Sequence, residues 1–333
     1  MNLNVSDLWE KLPVNSSGRC PYDVTGWEHQ MEQLYFWFYL LLFIPGLCLN
    51  TTALWVLCRH ISKKTKAVIF MVNLALADLL HVMSLPLRIH YYRTHTWPFG
   101  QTLCLFCFYL KYLNMYASIT FLVCISVQRC VFLLQPFYAR RWRRRYDLLI
   151  SATVWLVVGI FCSPFIIMRI SNSTDLPTRK LPLPLMAAMM VLAELFGFVL
   201  PLSAISYCSL RIAHSLRQRQ DREQTDKDKR RALRMVMSCS ALFLFCFAPY
   251  HVNFLLYVMV SQDIVSHCPT MLAVRHFHPI SLCVASLSCC LNPLLYYFLT
   301  AEFRQHLSQR TSSLSSSIRG RLMSLESTSS FME

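Results

Sequence analysis

The chain has 333 residues, of which 55% are apolar and only 15% charged, and its mean hydropathy is +0.40. Soluble domains run about 45–50% apolar and about 25% charged, so a soluble globular domain, a disordered chain and a collagen-like chain are excluded together. Seven glycines leave little from which to build a phosphate-cradling loop, and neither G-x-G-x-x-G nor G-x-x-x-x-G-K-S/T occurs. A net charge of +15 in so apolar a chain is informative through its placement more than its sum.

The first 30 residues are polar and lack the basic, apolar, small-residue order of a cleaved leader, so the first apolar run is expected to serve as the targeting signal. Seven apolar runs follow, at 33–58, 67–87, 102–134, 147–170, 185–210, 232–260 and 275–299. A helix needs about 20 mostly apolar residues to cross roughly 30 Å of hydrocarbon. Every run reaches that length and is far too long for a barrel strand, which predicts an all-α membrane protein with seven spans.

An odd number of spans puts the two termini on opposite sides. The segments 59–66, 135–146, 211–234 and 300–333 hold 4, 5, 9 and 4 Lys and Arg, Arg129 adds one more, and nine remain for the other side. The excess places the C-terminus in the cytoplasm and the N-terminus outside. The acceptor triplets beginning at Asn4, Asn15 and Asn172 all fall on the outer side, where glycosylation can use them. The positive charge is therefore read as a topology signal, with anionic inner-leaflet lipids as a further partner and nucleic acid not expected. The segment 211–231 carries both charge signs and extends helices five and six into water. The tail 308–330 holds twelve Ser or Thr and reads as disordered and phosphorylatable, or as a mere solvated tail.

Ionisable and amide groups at bilayer depth are costly and mark function. Asp78 stands mid-span in the second run, Asn50 in the first, Asn114 and Ser118 in the third, Ser288 and Asn292 in the seventh. Asn114 and Ser118 are four apart and share a helix face, as do Ser288 and Asn292. One carboxylate among these oxygens fits a Na⁺ site; a protonated Asp78 held by amides is the alternative. Pro201, Pro249 and Pro293 each remove a helical N–H and so create kinks or hinges within spans.

Taken in order, Asn50, Leu74-Ala75-Leu76-Ala77-Asp78, Trp97-Pro98-Phe99-Gly100, Cys104, Arg129, Trp155, Pro201, Cys246-Phe247-Ala248-Pro249 and Asn292-Pro293-Leu294-Leu295-Tyr296 fall one group per expected span or loop. Over about residues 33–308 this pattern resembles a rhodopsin-like (class A) G-protein-coupled receptor. The runs Leu85-Pro86-Leu87-Arg88, Phe108 to Ser118, Phe247 to His251 and Cys283 to Leu287 resemble its purinergic-type branch, and within it the members that respond to lysophosphatidylserine. The resemblance implies a seven-helix bundle, a short amphipathic eighth helix at 300–309 with Phe303 and Leu307 on one face, and signalling through a heterotrimeric G-protein. Arrestin is the implied partner of a phosphorylated tail, and no enzyme activity is implied.

The resemblance also assigns roles. Nucleotide receptors of the branch carry basic residues where this chain has Phe254 and, in the seventh helix, a residue near Leu282. Arg88 and Lys111 are the candidates for one phosphate and one carboxylate, with Arg169 as a second clamp and His251 as a weaker cation; snorkelling to the outer interface is the alternative for Arg88 and Lys111. Tyr91, Tyr92, Tyr112, Tyr116 and Tyr250 offer hydroxyls, and Phe254, Leu255, Met189 and Met190 an apolar lining. A singly phosphorylated head on one acyl chain fits this mixture better than a nucleotide. Arg129, Phe247, Pro249 and Tyr296 are the implied switch residues. The residue before Arg129 is Gln128 where the family has Asp, and Cys130 follows where it has Tyr; this predicts a weaker off-state lock and raised basal activity. The branch pairs its N-terminus with the third outer loop by a disulfide, for which Cys20 and Cys268 stand available, but Ser171 to Pro184 holds no Cys to pair with Cys104.

Readings left beside this one are a nucleotide receptor, a ligand-independent receptor, a transporter or channel, and a membrane enzyme using His276 and His278. The absence of an internal repeat disfavours transport, and the His pair lacks a carboxylate motif.

Overall fold

The computed structural model describes residues 24–61, 68–173, 183–217, 223–261, 264–265 and 267–299. Among them seven helices are long and apolar enough to cross a membrane: His29–Arg59, Val68–Thr94, Gln101–Leu134, Arg144–Ser163, Ala188–Arg217, Lys229–Val260 and Cys268–Leu295, here spans one to seven. Each matches one apolar run of the sequence. Several outlast their run, because helical hydrogen bonding continues past the hydrocarbon edge wherever no breaker intervenes. The expected eighth helix, the Ser/Thr-rich tail, Asn4, Asn15 and Cys20 lie outside the described residues.

Burial is uneven around the bundle. Two thirds of the apolar window of spans two and seven is buried, half of span three, and only 17% of span five. Spans two, three and seven are thus the inner helices, and they carry Asp78, Asn114, Ser118, Ser288 and Asn292. The outer helices turn large apolar side chains outward, among them Leu148, Leu149, Leu156 and Ile160 of span four and Val191, Phe196 and Val199 of span five. Lipid tails would cover that belt.

Close approaches follow from small residues. A Cβ at Gly46 would stand 2.9 Å from Val82 Cγ2 and 3.5 Å from Cys289 Sγ, so this glycine lets span one lie against spans two and seven. Gly159 in span four lies under Tyr109, whose hydroxyl donates to the Gly159 carbonyl at 3.0 Å. Trp155 packs on Phe121 and donates Nε1–H to Asn73 Oδ1 at 2.8 Å, tying span four to spans two and three. Gly100, at φ 80°, closes the turn after span two. Its carbonyl accepts from Trp97 Nε1 at 2.8 Å, and Trp97 packs with Tyr91, Tyr92 and Cys104.

Prolines shape the helices more widely than the three expected. Pro45, Pro86 and Pro279 also sit inside helices. Pro201 and Pro249 each follow a widened π-type turn, Leu195–Val199 and Phe243–Phe247. The ring of a proline clashes with the carbonyl four residues back, and that residue (Gly197 and Phe245 respectively) lies inside the widened turn in both cases. Span seven breaks at Leu287, between helices Cys268–Ser286 and Ser288–Leu299.

Candidate functional site

The polar residues of the sequence gather at three depths. At the middle, Asp78 is fully buried. Asn114 Nδ2 donates to its Oδ1 at 2.9 Å, and Asn292 Nδ2 to Oδ1 at 3.2 Å and Oδ2 at 3.0 Å. Ser118 Oγ stands 3.5 Å from Oδ1 and 3.4 Å from Asn114 Nδ2. The span-three pair Asn114 and Ser118 therefore converges with Asn292 of span seven on one carboxylate, while Ser288, four residues before Asn292, makes no bond to it. Asn50 departs from the expected set. Its Nδ2 donates to the Gly46 carbonyl at 2.9 Å and the Cys289 carbonyl at 2.6 Å, not to Asp78. The reason is backbone chemistry: Pro293 has no N–H for the carbonyl of Cys289, four residues earlier, and the Asn50 amide takes its place. Ser288 Oγ, Asn292 Oδ1 and Asn50 Oδ1 are buried with no hydrogen-bond partner. These hard oxygens beside a carboxylate fit a Na⁺ ion in donor type.

Toward the outer end, Arg88 is 0% exposed. Its Nη2 donates to the Cys107 carbonyl, and its guanidinium lies 6.0 Å from the Tyr39 ring centre. Lys111 Nζ stands 5.5 Å from the Tyr35 ring centre. Tyr35 stacks on both Tyr39 and Tyr92, at 5.5 and 5.1 Å. Two cations from different spans thus share one tyrosine wall, a cation–π arrangement worth more when desolvated. Burial of Arg88 removes the snorkelling alternative for it, since its head reaches no interface. Tyr35 and Tyr39 escaped the sequence reading; their signal was a fourfold tyrosine spacing inside an apolar run.

A small pocket between spans three and seven is lined by Lys111, Tyr112, Asn114, Met115, Leu282, Ala285 and Ser286. Asn114 also holds Asp78, so one side chain borders both the outer cavity and the buried carboxylate. Across the bundle, His251 is fully buried and its Nδ1 lies 3.2 Å from Glu194 Oε1. A Cβ at Gly197 would overlap His251 Cε1 and sit 2.7 Å from Tyr116 Cε1, so the bare backbone of the span-five π-turn makes room for both rings. Tyr250 packs on His251 and stacks on Phe254 at 5.6 Å. Glu194 was missed because no motif marked it, although a lone carboxylate in an apolar run was the available signal. Met189 and Met190 are half-buried. Leu255 does not line the cavity: it is 47% exposed, one residue off the buried face that carries His251, Phe254 and Val258. His276 and His278 diverge. The first packs on Trp27, and the second lies 3.3 Å from Asn253 Nδ2 and stacks on Tyr257. Among the described residues no His, Cys, Asp and Glu group could hold a metal ion.

At the inner end, Gln128 and Asp147 are buried and Arg129 half-buried. Gln128 Nε2 donates to Asp147 Oδ1 at 2.7 Å, and Trp142 Nε1 donates to the same oxygen at 2.7 Å. Gln128 therefore makes no hydrogen bond to Arg129; its amide is engaged by the fourth span. No carboxylate of the described residues bonds Arg129, and Arg231 of span six is within electrostatic reach. Phe247 is fully buried against Phe243 in the π-turn before Pro249. The side chains of Arg169, Asn172 and Tyr296 lie outside the described part. Cys268 sits in a disulfide, while Cys20 is not described, and Cys104 is a buried thiol.

Seven spans around a buried carboxylate, a cationic and aromatic cluster toward the outer end and a hydrogen-bonded junction of span three, the inner loop and span four at the inner end are the architecture of a membrane receptor. Comparison with known proteins places it: residues 49–296 match the model of the 7 transmembrane receptor (rhodopsin family), and the chain belongs to that family. It is 53% identical to the P-two-Y-type purinoceptor 10 of Mus musculus over 307 residues, covering 90% of this chain and 93% of the relative. It is 46% identical to G-protein coupled receptor 174 of Homo sapiens over 281 residues, covering 82% and 84%. It is 30% identical to lysophosphatidic acid receptor 6 of Mus musculus over 331 residues, covering 96% and 95%. The chain is therefore a multi-pass plasma-membrane receptor of the G-protein-coupled type, in the purinergic and lysophospholipid-receptor branch, a family that answers extracellular ligands, and not an enzyme.

Proposed function

We propose that this receptor is activated by a lysophospholipid whose head carries one phosphate and one carboxylate, lysophosphatidylserine being the candidate. The observation that carries this is the shared wall of Arg88 and Lys111 on Tyr35, Tyr39 and Tyr92. Two cations match a head of two anionic groups. A triphosphate would need more, and Phe254 and Leu282 stand where the branch's nucleotide receptors place theirs. The names of relatives at 30–34% identity, lysophosphatidic acid receptors 6 and 4, support a lysolipid. An acyl chain adds about 0.8 kcal/mol per buried CH₂. Arg169 is proposed as a further clamp and His251 as a neighbour of the head.

The orientation proposed with it places the N-terminus outside, glycosylated at Asn4, Asn15 and Asn172, and bridged from Cys20 to Cys268. The basic inner loops face anionic lipid, and arrestin reads the phosphorylated tail. Asp78, Ser118, Ser288 and Asn292 are proposed to hold a Na⁺ ion, which would supply positive charge to the carboxylate and fix spans two, three and seven against one another.

The test is G-protein activation in cells with confirmed surface receptor, dosed with lysophosphatidylserine and with a nucleotide panel. A lysophosphatidylserine response shifted at least about tenfold by Arg88→Ala and by Lys111→Ala is expected, the loss of one charge-assisted hydrogen bond or more. A nucleotide response overturns the reading, and silence to both points to a ligand-independent receptor. For the ion, exchanging NaCl for choline chloride is expected to lower the Tm of the purified receptor, and Asp78→Asn to abolish that difference. An equal Tm in both salts removes the sodium site.

A further inference from the structure

In the family pattern an acid precedes the switch arginine in sequence. Here that position is Gln128, and the nearest buried acid lies on another helix. Asp147 is 1% exposed and occupies the first turn of the helix Arg144–Ser173, where the helix N-terminus favours negative charge. Its Oδ1 accepts two short hydrogen bonds from two different elements. One comes from Gln128 Nε2 on span three, beside Arg129, and one from Trp142 Nε1 in the inner loop that follows the short helix Pro136–Arg141. The Trp142 ring is held on three sides, by Phe132, Tyr138 and Tyr146 at 5.4–5.8 Å. The loop, span three and span four therefore meet on one oxygen.

We propose that Asp147 is the relocated acid of the inner switch: by binding Gln128 and Trp142 together it fixes the span-three end that carries Arg129 and the adjoining inner loop in the off arrangement. It is a positioning residue, acting on Arg129 through Gln128 and the backbone rather than by touching it. The lock is thus interhelical where the family pattern makes it local. Losing it frees the inner end of span three and the loop at once, and with them the surface a G-protein meets. The proposal rests on membership of the receptor family alone and requires no ligand.

Under this proposal the lock does not depend on an acid at position 128. Restoring the family acid by Gln128→Asp would not rebuild a local lock. It would set a second carboxylate against Asp147 in place of a donor, and like charges this close repel.

The experiment is ligand-free nucleotide exchange on purified heterotrimeric G-proteins of every Gα class, using membranes matched for surface receptor. Trp142→Phe removes only the N–H and keeps the ring, Gln128→Leu removes the amide, and Asp147→Asn keeps an acceptor oxygen. Basal exchange is expected to rise about tenfold in Trp142→Phe and in Gln128→Leu, the shift of a two-state equilibrium on losing a charge-assisted hydrogen bond. It should rise in Gln128→Asp as well, and to a smaller extent in Asp147→Asn, which keeps an acceptor oxygen but loses its charge. The double variant Trp142→Phe with Gln128→Leu should exceed neither single variant by the full product, since both act through one oxygen. Unchanged basal exchange in Trp142→Phe and Gln128→Leu overturns the proposal, as does a fall in Gln128→Asp. A drop in Tm without a rise in basal exchange assigns Asp147 a structural role only and equally overturns it.

Discussion

Asn50 shows how one side chain can serve the backbone of another helix. Its amide supplies the donor that Pro293 withholds from Cys289, at a distance of 239 residues in sequence. Asn50→Leu removes that donor and leaves a buried carbonyl unserved. Such interhelical bonds are worth about 1 kcal/mol in a membrane protein, so the variant is expected to lower the Tm of the purified receptor by a few degrees; an unaltered Tm would mean that water replaces the amide. Gly197 makes a complementary case. Alanine there would drive a Cβ into His251 Cε1. The imidazole must move away from Glu194, at an overpacking cost of about 1–3 kcal/mol. Thermal unfolding of Gly197→Ala in detergent checks this, and a Tm equal to that of the parent would show that the π-turn opens freely. Asp78, Asn114 and Asn292 were legible in the sequence because a carboxylate and two amides in apolar runs admit few structural readings. Asp147 was not, because it stands at a span end beside Arg143, Arg144 and Arg145, where a surface charge is the ordinary reading. Tyr35 and Tyr39 read as unremarkable aromatics until Arg88 and Lys111 were placed over them.

At the scale of the element, two spans share one construction: a widened turn, Leu195–Val199 or Phe243–Phe247, followed within two residues by Pro201 or Pro249. Such turns are rare and tend to mark functional sites. Each here lies beside a group of interest, the first beside Glu194 and His251 and the second at Phe247. Pro249→Ala returns an N–H to the Phe245 carbonyl and lets the ordinary helical turn form. The expected outcome is a receptor with a higher Tm and a smaller maximal G-protein response; a higher or unchanged maximum would show that the bend is not used in switching. The apolar runs were legible to within a few residues at most ends, since hydropathy and length alone select a spanning helix. The exceptions are instructive. Span seven begins at Cys268, several residues before the apolar run, because the helix includes a stretch whose hydropathy is diluted by Pro269, Thr270, Arg275, His276 and His278. Leu255 is exposed although it stands four residues after His251, a spacing that puts the two on neighbouring parts of one face; helical phase alone does not tell it from Phe254.

At the scale of the whole molecule, the polar groups form a column that stays off the lipid side: the tyrosine wall with Arg88 and Lys111, the cavity bordered by Asn114, the Asp78 cluster, and the Gln128, Asp147 and Trp142 junction. The order of the spans, the family and the Asp78 cluster at the middle of the column were written in the sequence. What joins the levels was not, since it consists of contacts between residues tens to hundreds of positions apart. The topology proposed above has a direct check. An epitope fused before Met1 is expected to bind antibody on intact cells, and staining that needs permeabilised cells would reverse the orientation.

The carbonyl of Cys289 has a consequence for spectroscopy. In an ordinary helix every amide oscillator is coupled to its neighbours through the same repeating hydrogen bond, and no single one can be picked out. This one ends on a side-chain amide from another span instead. A ¹³C=¹⁸O label at Cys289 moves that one carbonyl's band clear of the others by mass, and its frequency then responds to the Asn50 contact. Its movement on adding agonist would time the bending of span seven at Leu287 without any probe larger than an isotope.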